Sequence, residues 1–371
     1  MPPDSNRTRS PPANPATTDG DSDDGAGEDS DGDGERWLVL NPVSGDGTHV
    51  DLVHRLAADR GVRVLETEGN GDATAFAREA VTEGVDELAI CGGDGTLQEV
   101  LVGLHAAGAI RPRSEDAIDR AAAVHGATGS AEDGIDPGAA DSEAADPPVL
   151  CVIPAGTANI FATDMGIEDV EAGFSVFDSG EVRRLDVGVA DGEPFMKSCI
   201  AGLTADTSSA TSDELKERFG SLAFVITGAR RASQFEPLEV AIEVSSAEGE
   251  WSYSGETLCL VIGNARRYAG RLGQANVEDG LLDVTLVEEM PPGDVVAEAI
   301  ERQLLGRETD NVTRLQARRI GIEATSENPI EFSLDGEIAS HDRLDITVRH
   351  QAIPVRVGPA YDPDPEDPDH P

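Results

Sequence analysis

The strongest constraint on this chain is an order that recurs along its first half. An apolar run is followed by a glycine-rich loop, and in the first two cases the loop leads into an amphipathic stretch. Residues 37–40, 63–66, 87–91 and 148–153 have strand character, and the spacing predicts helices over 50–59, 73–83 and 97–106. Strands alternating with helices imply a parallel sheet covered by helices. Beyond about residue 182 the texture changes. Short apolar runs at 238–244, 257–262, 281–287 and 319–324 are separated by turn residues, the spacing of an antiparallel sandwich or barrel, with one helix expected over 293–305. The expected fold class is therefore α/β followed by β.

In open α/β sheets ligands collect at the carboxyl ends of the strands, and three loops fall there. The first is NPVSGDG, with Asn41, Pro42, Ser44, Gly45 and Gly47; the second is GGDGT, with Gly92, Gly93, Asp94, Gly95 and Thr96; the third is PAGTAN, with Gly156, Thr157 and Asn159. Backbone N–H groups of such loops, together with a helix N-terminus, form a cradle for phosphate. Thr96 and Glu99 read as a capping box ahead of an apolar stripe of Leu97, Val100, Leu101 and Leu104. Asp94 has no such local explanation. A carboxylate beside a polyphosphate is repulsive unless a divalent cation stands nearby, so the loop suggests a magnesium-nucleotide site.

Charge narrows the partners. The chain of 371 residues carries 72 acidic against 28 basic side chains, a net charge of -44, and only two of the basic residues, Lys197 and Lys216, are lysines. A field of this sign opposes nucleic-acid binding, which draws on cationic side chains releasing phosphate counterions. It suits a soluble protein of a salt-rich cell, because at roughly 1 M salt the Debye length is only about 3 Å. No run is long enough to span a membrane, and residues 1–20 lack the apolar segment of a signal peptide, so the cytoplasm is expected. Cys91, Cys151, Cys199 and Cys259 each sit in an apolar run without metal-ligand spacing and read as buried free thiols. Residues 1–35, 112–148 and the tail from 359 are too polar to build a core.

The succession NPVSG, GGDGTLQEV and PAGTAN, followed by DGLLDV at 279–284 and SLDGE at 333–337, resembles the diacylglycerol kinase catalytic-domain family, in its soluble bacterial and archaeal lipid-kinase branch. The resemblance spans about residues 36–358. It implies an α/β nucleotide-binding domain of NAD-kinase type over 36–165, with the acidic insertion 112–148. It also implies an antiparallel β-sandwich over 166–336 and a final segment, about 337–358, returning to the first domain. ATP would lie between them, touched by the three loops and by Thr67. Asp279 and Asp283, with nearby carbonyls, would hold a Mg ion that props the interdomain region. Glu337 would accept the proton of the lipid hydroxyl, with Asp335 orienting or sharing that role and Asp94 completing the catalytic set.

The implied reaction is ATP- and Mg-dependent transfer of the γ-phosphoryl group to a lipid alcohol, of diacylglycerol or ether-lipid type. The implied partners are ATP, a membrane lipid met by peripheral contact, and a second copy of the chain as a candidate homodimer. Two positions depart from the family pattern: Asp46 stands where many relatives carry a basic residue, and Ile160 follows Asn159 where many have aspartate. Two other readings use the same residues: a kinase of NAD or another small molecule, and a non-catalytic ATP-binding regulator. Arg266, Arg267 and Arg271 are candidate cations near the site, or solvated loop residues.

Overall fold

The computed structural model describes residues 34–111, 146–202, 237–246, 249–266, 275–288 and 312–363. The helix expected over 293–305, the tail before residue 34, nearly all of the acidic insertion, Lys216, Arg267 and Arg271 lie outside them.

The first half alternates as its pattern predicts: β1 (Arg36–Leu40), α1 (Val50–Ala58), β2 (Arg63–Glu66), α2 (Asp72–Glu83), β3 (Glu87–Gly92), α3 (Asp94–Ala106) and β4 (Val149–Pro154). Strands β2, β1, β3 and β4 lie side by side and pair in parallel. Within β1 the run Trp37, Leu38, Val39, Leu40 is wholly buried, and β3 and β4 are buried almost throughout. Continuous burial of both faces is the mark of a parallel sheet sandwiched by helices. Each such aliphatic side chain contributes about 1.5–3 kcal/mol on leaving water.

Two short helices follow, α4 (Ile160–Asp164) and α5 (Val170–Ser179), the second started by Asp169, whose carboxylate accepts the Ala172 N–H at 2.8 Å. The chain then becomes β, with β5 (Glu181–Ala190), β6 (Glu193–Phe195), β7 (Ser198–Ala201), β8 (Leu238–Ser246), β9 (Gly249–Thr257), β10 (Cys259–Gly263) and β11 (Leu282–Val287). It closes with β12 (Val312–Ala317), β13 (Arg319–Ala324), β14 (Ile330–Leu334), β15 (Glu337–His341) and β16 (Arg343–Val357).

These strands form two layers. The first sheet continues past β4 through β16, β13, β8 and β9, with β5 on β16 and β6 on β5. The second sheet runs β12-β11-β10-β7-β14-β15 and is antiparallel throughout. Along β8 burial alternates, placing Val240, Ile242 and Val244 inward. They share one core with Leu260, Ile262, Leu282, Val284 and Phe332 of the other layer, which makes the second half a sandwich.

The return of the chain is carried by β16. Residues 343–347 pair with β13 in the sandwich, and Val355 pairs in parallel with Leu150 of β4. Between these stretches the pairing with β5 breaks at Arg349–Ile353, where Gln351 has φ 48°.

Candidate active site

The three glycine loops leave adjacent strands at the same edge of the parallel sheet, and their glycines touch. A Cβ on Gly156 would fall 2.5 Å from Gly93 Cα, and one on Gly45 2.5 Å from the Ala155 carbonyl oxygen. Gly45 and Gly47 also have φ of 60° and 71°, a conformation glycine adopts without strain. Gly92 covers the Thr96 hydroxyl, to which Asn41 Nδ2 donates at 3.1 Å. The loops therefore meet backbone to backbone, leaving one shared polar floor.

The third loop is braced by its own asparagine. Asn159, at φ 48°, accepts the Gly156 N–H at 2.8 Å and donates to the Gly156 carbonyl at 2.7 Å. Its side chain shapes the loop. Thr157 is exposed. Asp46 closes the first loop locally by accepting from the Thr48 N–H and hydroxyl, and those bonds hold its carboxyl below the usual range. The charge of Asp46 is thus absorbed by the loop itself.

Two expectations for the second loop are corrected. The capping box does not form: α3 begins at Asp94 with Gly93 as its cap, and Glu99 accepts the Gly71 N–H at 2.9 Å, tying α3 to the start of α2. The apolar stripe of Leu97, Val100, Leu101 and Leu104 is buried as expected. Asp94 also has partners within the protein. Its carboxylate accepts the N–H groups of Ile160 (3.3 Å) and Phe161 (3.2 Å), and Lys197 Nζ stands 3.6 Å away. The cation beside Asp94 in this structure is a lysine from the second half of the chain.

A cleft of about 790 Å³ opens in front of the first two loops, and Gly156, Thr157 and Asn159 are not in its lining. Asn41, Ser44, Gly93, Gly95 and Thr96 line one side, and Glu337, Ile338, Leu334 and Pro194 line another. A side chamber of about 100 Å³ shares Asn41, Thr96 and Glu99 with the cleft and adds Thr67. Glu337 is an exposed residue at the start of β15, directly opposite Leu334, and the two-residue turn Asp335-Gly336 between them has φ of 50° and 112°.

Asp335, expected to orient or share the proton-accepting role, has its carboxylate turned to the backbone. Its carboxylate accepts three consecutive backbone N–H groups, from Met196 (2.7 Å), Lys197 (2.8 Å) and Ser198 (2.8 Å). Burial pushes its carboxyl above the usual range, opposed by Lys197 and by those N–H groups. The residue works as a clasp on the β6–β7 connection.

The turn at 276–280 carries Asp279, which accepts the Leu281 N–H at 2.8 Å, whereas Asp283 on β11 accepts from Gln316 Nε2 at 3.3 Å. Asp186, which sequence reasoning missed, lies against this turn: it is fully buried and accepts the N–H groups of Gly280 and Gln351 at 2.7 and 2.6 Å. Burial, with the charge of Asp279 adding to it, pushes the Asp186 carboxyl up to about 7. Among the described residues no three His, Cys, Asp or Glu side chains stand close enough together to hold a metal. The four cysteines are buried and free, as expected. Arg266 pairs with Asp362 at 2.9 Å.

The comparisons with known proteins agree with this architecture. A profile described as the diacylglycerol kinase catalytic domain matches residues 35–190, and one described as the YegS C-terminal NAD kinase beta sandwich-like domain matches residues 197–357. A protein named "Probable lipid kinase YegS-like" from Xanthomonas euvesicatoria pv. vesicatoria is 30% identical over 337 residues, covering 86% of this chain and 94% of its own. The chain belongs to the YegS-like lipid kinase family. A second member, from Stenotrophomonas maltophilia, is 30% identical over 335 residues, covering 87% of this chain and 94% of its own. The fold has a solved counterpart in a diacylglycerol kinase from Bacillus anthracis, with TM-score 0.65 at 23% identity over 89% of this chain and 99% of that one. As a member of this family the chain is a kinase with an alcohol acceptor. No helix among its described residues is long and apolar enough to cross a membrane.

Proposed function

We propose that this lipid kinase transfers the γ-phosphoryl group of ATP to the hydroxyl of a membrane lipid alcohol, a diacylglycerol or an ether-linked glycerol lipid, with Mg required. The observation that carries the reading is that one cleft is lined both by the first two glycine loops and by Glu337. The loop N–H groups and the positive end of α3 receive the phosphates, with Asn41, Ser44 and Thr96 as hydroxyl and amide donors and Thr67 in the side chamber. Glu337 takes the proton of the lipid hydroxyl as its oxygen bonds to the γ-phosphorus and the bond to the β-phosphate oxygen breaks, releasing ADP. Positioning and charge neutralisation carry most of such a reaction.

The donor set fits Mg that keeps phosphate oxygens and waters as ligands, and it does not form an all-protein cage. Asp279 would supply a carboxylate for an ion at the 276–280 turn, while Asp283, already held by Gln316, stays with the sheet. When bound, Mg supplies positive charge that neutralises the phosphates.

The acceptor lies in a bilayer, so the enzyme visits it from the aqueous side. A chain of net charge -44 meets an anionic membrane unfavourably in dilute buffer, and molar salt screens that repulsion. The test is phosphate transfer from ATP into vesicles containing dialkylglycerol or diacylglycerol in molar KCl. Transfer is expected to stop in excess EDTA and return with Mg. Full activity in EDTA at low salt contradicts both the metal and the salt assignments.

A further inference from the structure

We propose that Lys197 is a positioning residue for phosphoryl transfer: from the β6–β7 connection its ammonium holds the Asp94 carboxylate, and through it the start of α4 and the third glycine loop.

Lys197 is 8% exposed and is the single lysine among the described residues of a chain with two. Burying an ammonium is costly unless it is paired, and the partner this one reaches is Asp94 Oδ2 at 3.6 Å. The same carboxylate receives the N–H groups of Ile160 and Phe161, so the ion pair is continuous with the backbone that follows Asn159.

The backbone beneath Lys197 is fixed on both of its edges. Asp335 takes the N–H groups of residues 196, 197 and 198. Asn264 returns the other half: its Nδ2 donates to the Met196 carbonyl at 2.9 Å and its backbone N–H to the Lys197 carbonyl at 2.8 Å. Gln98 of α3 donates to the Pro194 carbonyl at 2.6 Å, a second tie between the two sides. A side chain anchored this firmly at its root places its charge reproducibly, which is what a positioning group requires.

The inference rests on the phosphoryl-transfer reading above. Lys197→Cys is expected to lower kcat by about 10²-fold, the cost of a small misplacement at a reacting centre, while the KM for ATP, set by the first two glycine loops that line the cleft, changes little. Alkylation with 2-bromoethylamine rebuilds an ammonium on a side chain of lysine length and should restore kcat to within about tenfold of wild type; iodoacetamide, which adds neutral bulk, should not. The native thiols do not compete: burial pushes those of Cys91, Cys151 and Cys259 up to about 12 and that of Cys199 higher still.

An unchanged kcat, equal rescue by both reagents, or rescue by neither in a protein with native circular dichroism whose residue 197 is shown by mass spectrometry to carry the adduct, overturns the proposal; where residue 197 resists alkylation, the arginine and methionine variants decide. If Lys197→Cys does not fold, Lys197→Arg and Lys197→Met replace it. Arginine should retain most of the activity and methionine lose it, and equal losses overturn the proposal. A wild-type enzyme that phosphorylates no lipid defeats the underlying reading, whereas an active wild type with an equally active Lys197→Cys defeats this inference alone.

Discussion

Glu337→Gln is expected to lower the rate of lipid phosphorylation by about 10²- to 10⁴-fold, the usual contribution of a positioned general base. The substitution preserves size and removes only the ability to take a proton. Glu337 is an exposed residue whose Cα is held opposite Leu334 by the β14–β15 pairing, so the variant should unfold at the same temperature as wild type. Surface substitutions of this kind stay within about 0.5 kcal/mol. ATP affinity, measured by equilibrium titration, should change little beside the loss in rate. Glu337 is favoured over Asp335 as the base on geometry: it lines the cleft, whereas both oxygens of Asp335 are occupied by N–H groups of the β6–β7 connection. A Glu337→Gln enzyme with wild-type turnover would refute this assignment.

Asp335→Asn should act through structure. Asparagine tolerates the positive φ of 50° at this position, so the change isolates the carboxylate. One amide oxygen cannot serve three N–H donors, and its NH2 group would face one of them. Hydrogen bonds to a charged acceptor are worth about 1.5–3 kcal/mol and an unpaired buried donor costs about 1–3 kcal/mol, so a loss of roughly 2–4 kcal/mol is expected after relaxation. Urea unfolding at high salt would measure it as a lower midpoint at unchanged slope. Activity should fall as well, because the clasp carries Lys197. Native stability in Asp335→Asn would contradict the clasp and return the residue to the list of candidate bases.

The parallel half of the fold was legible because its signals are local. Residues 37–40, 88–91 and 148–153 are unbroken apolar runs, and a strand covered on both faces needs just that. Helix α5 left a readable trace in Asp169 as N-cap and in Val170, Phe174 and Phe177 at helical spacing, which the sequence reading passed over. The 15-residue β16 was harder to read. Its two halves belong to different neighbourhoods, and nothing local distinguishes a strand that changes partners at Gln351 from two separate ones.

The site shows the same division. Glycine loops are written contiguously, so the residues that touch, Gly45, Gly93 and Gly156, could be found without coordinates. The function of Asp94 could not, because its ammonium partner lies 103 positions away in sequence, as the numbers 94 and 197 give. The available signal was compositional: a chain that uses arginine almost everywhere keeps a lysine between Met196 and Ser198, inside an apolar stretch. Asp186 carried a comparable mark, an acid inside the otherwise apolar second half of β5. The capping box failed for a tertiary reason, since Gly71 offered Glu99 an N–H from another helix.

The central claim is that the cleft moves a phosphoryl group from ATP to a lipid hydroxyl, and labelled transfer tests it most directly. Wild-type enzyme and Glu337→Gln are incubated with γ-labelled ATP, Mg and a total membrane-lipid extract in molar KCl, and the organic phase is counted and its labelled product identified. The predicted result is label in a phosphorylated lipid with wild type and about 10²-fold less or lower with the variant. Label that remains entirely in the aqueous phase, whether on a soluble acceptor or still on ATP, would contradict it.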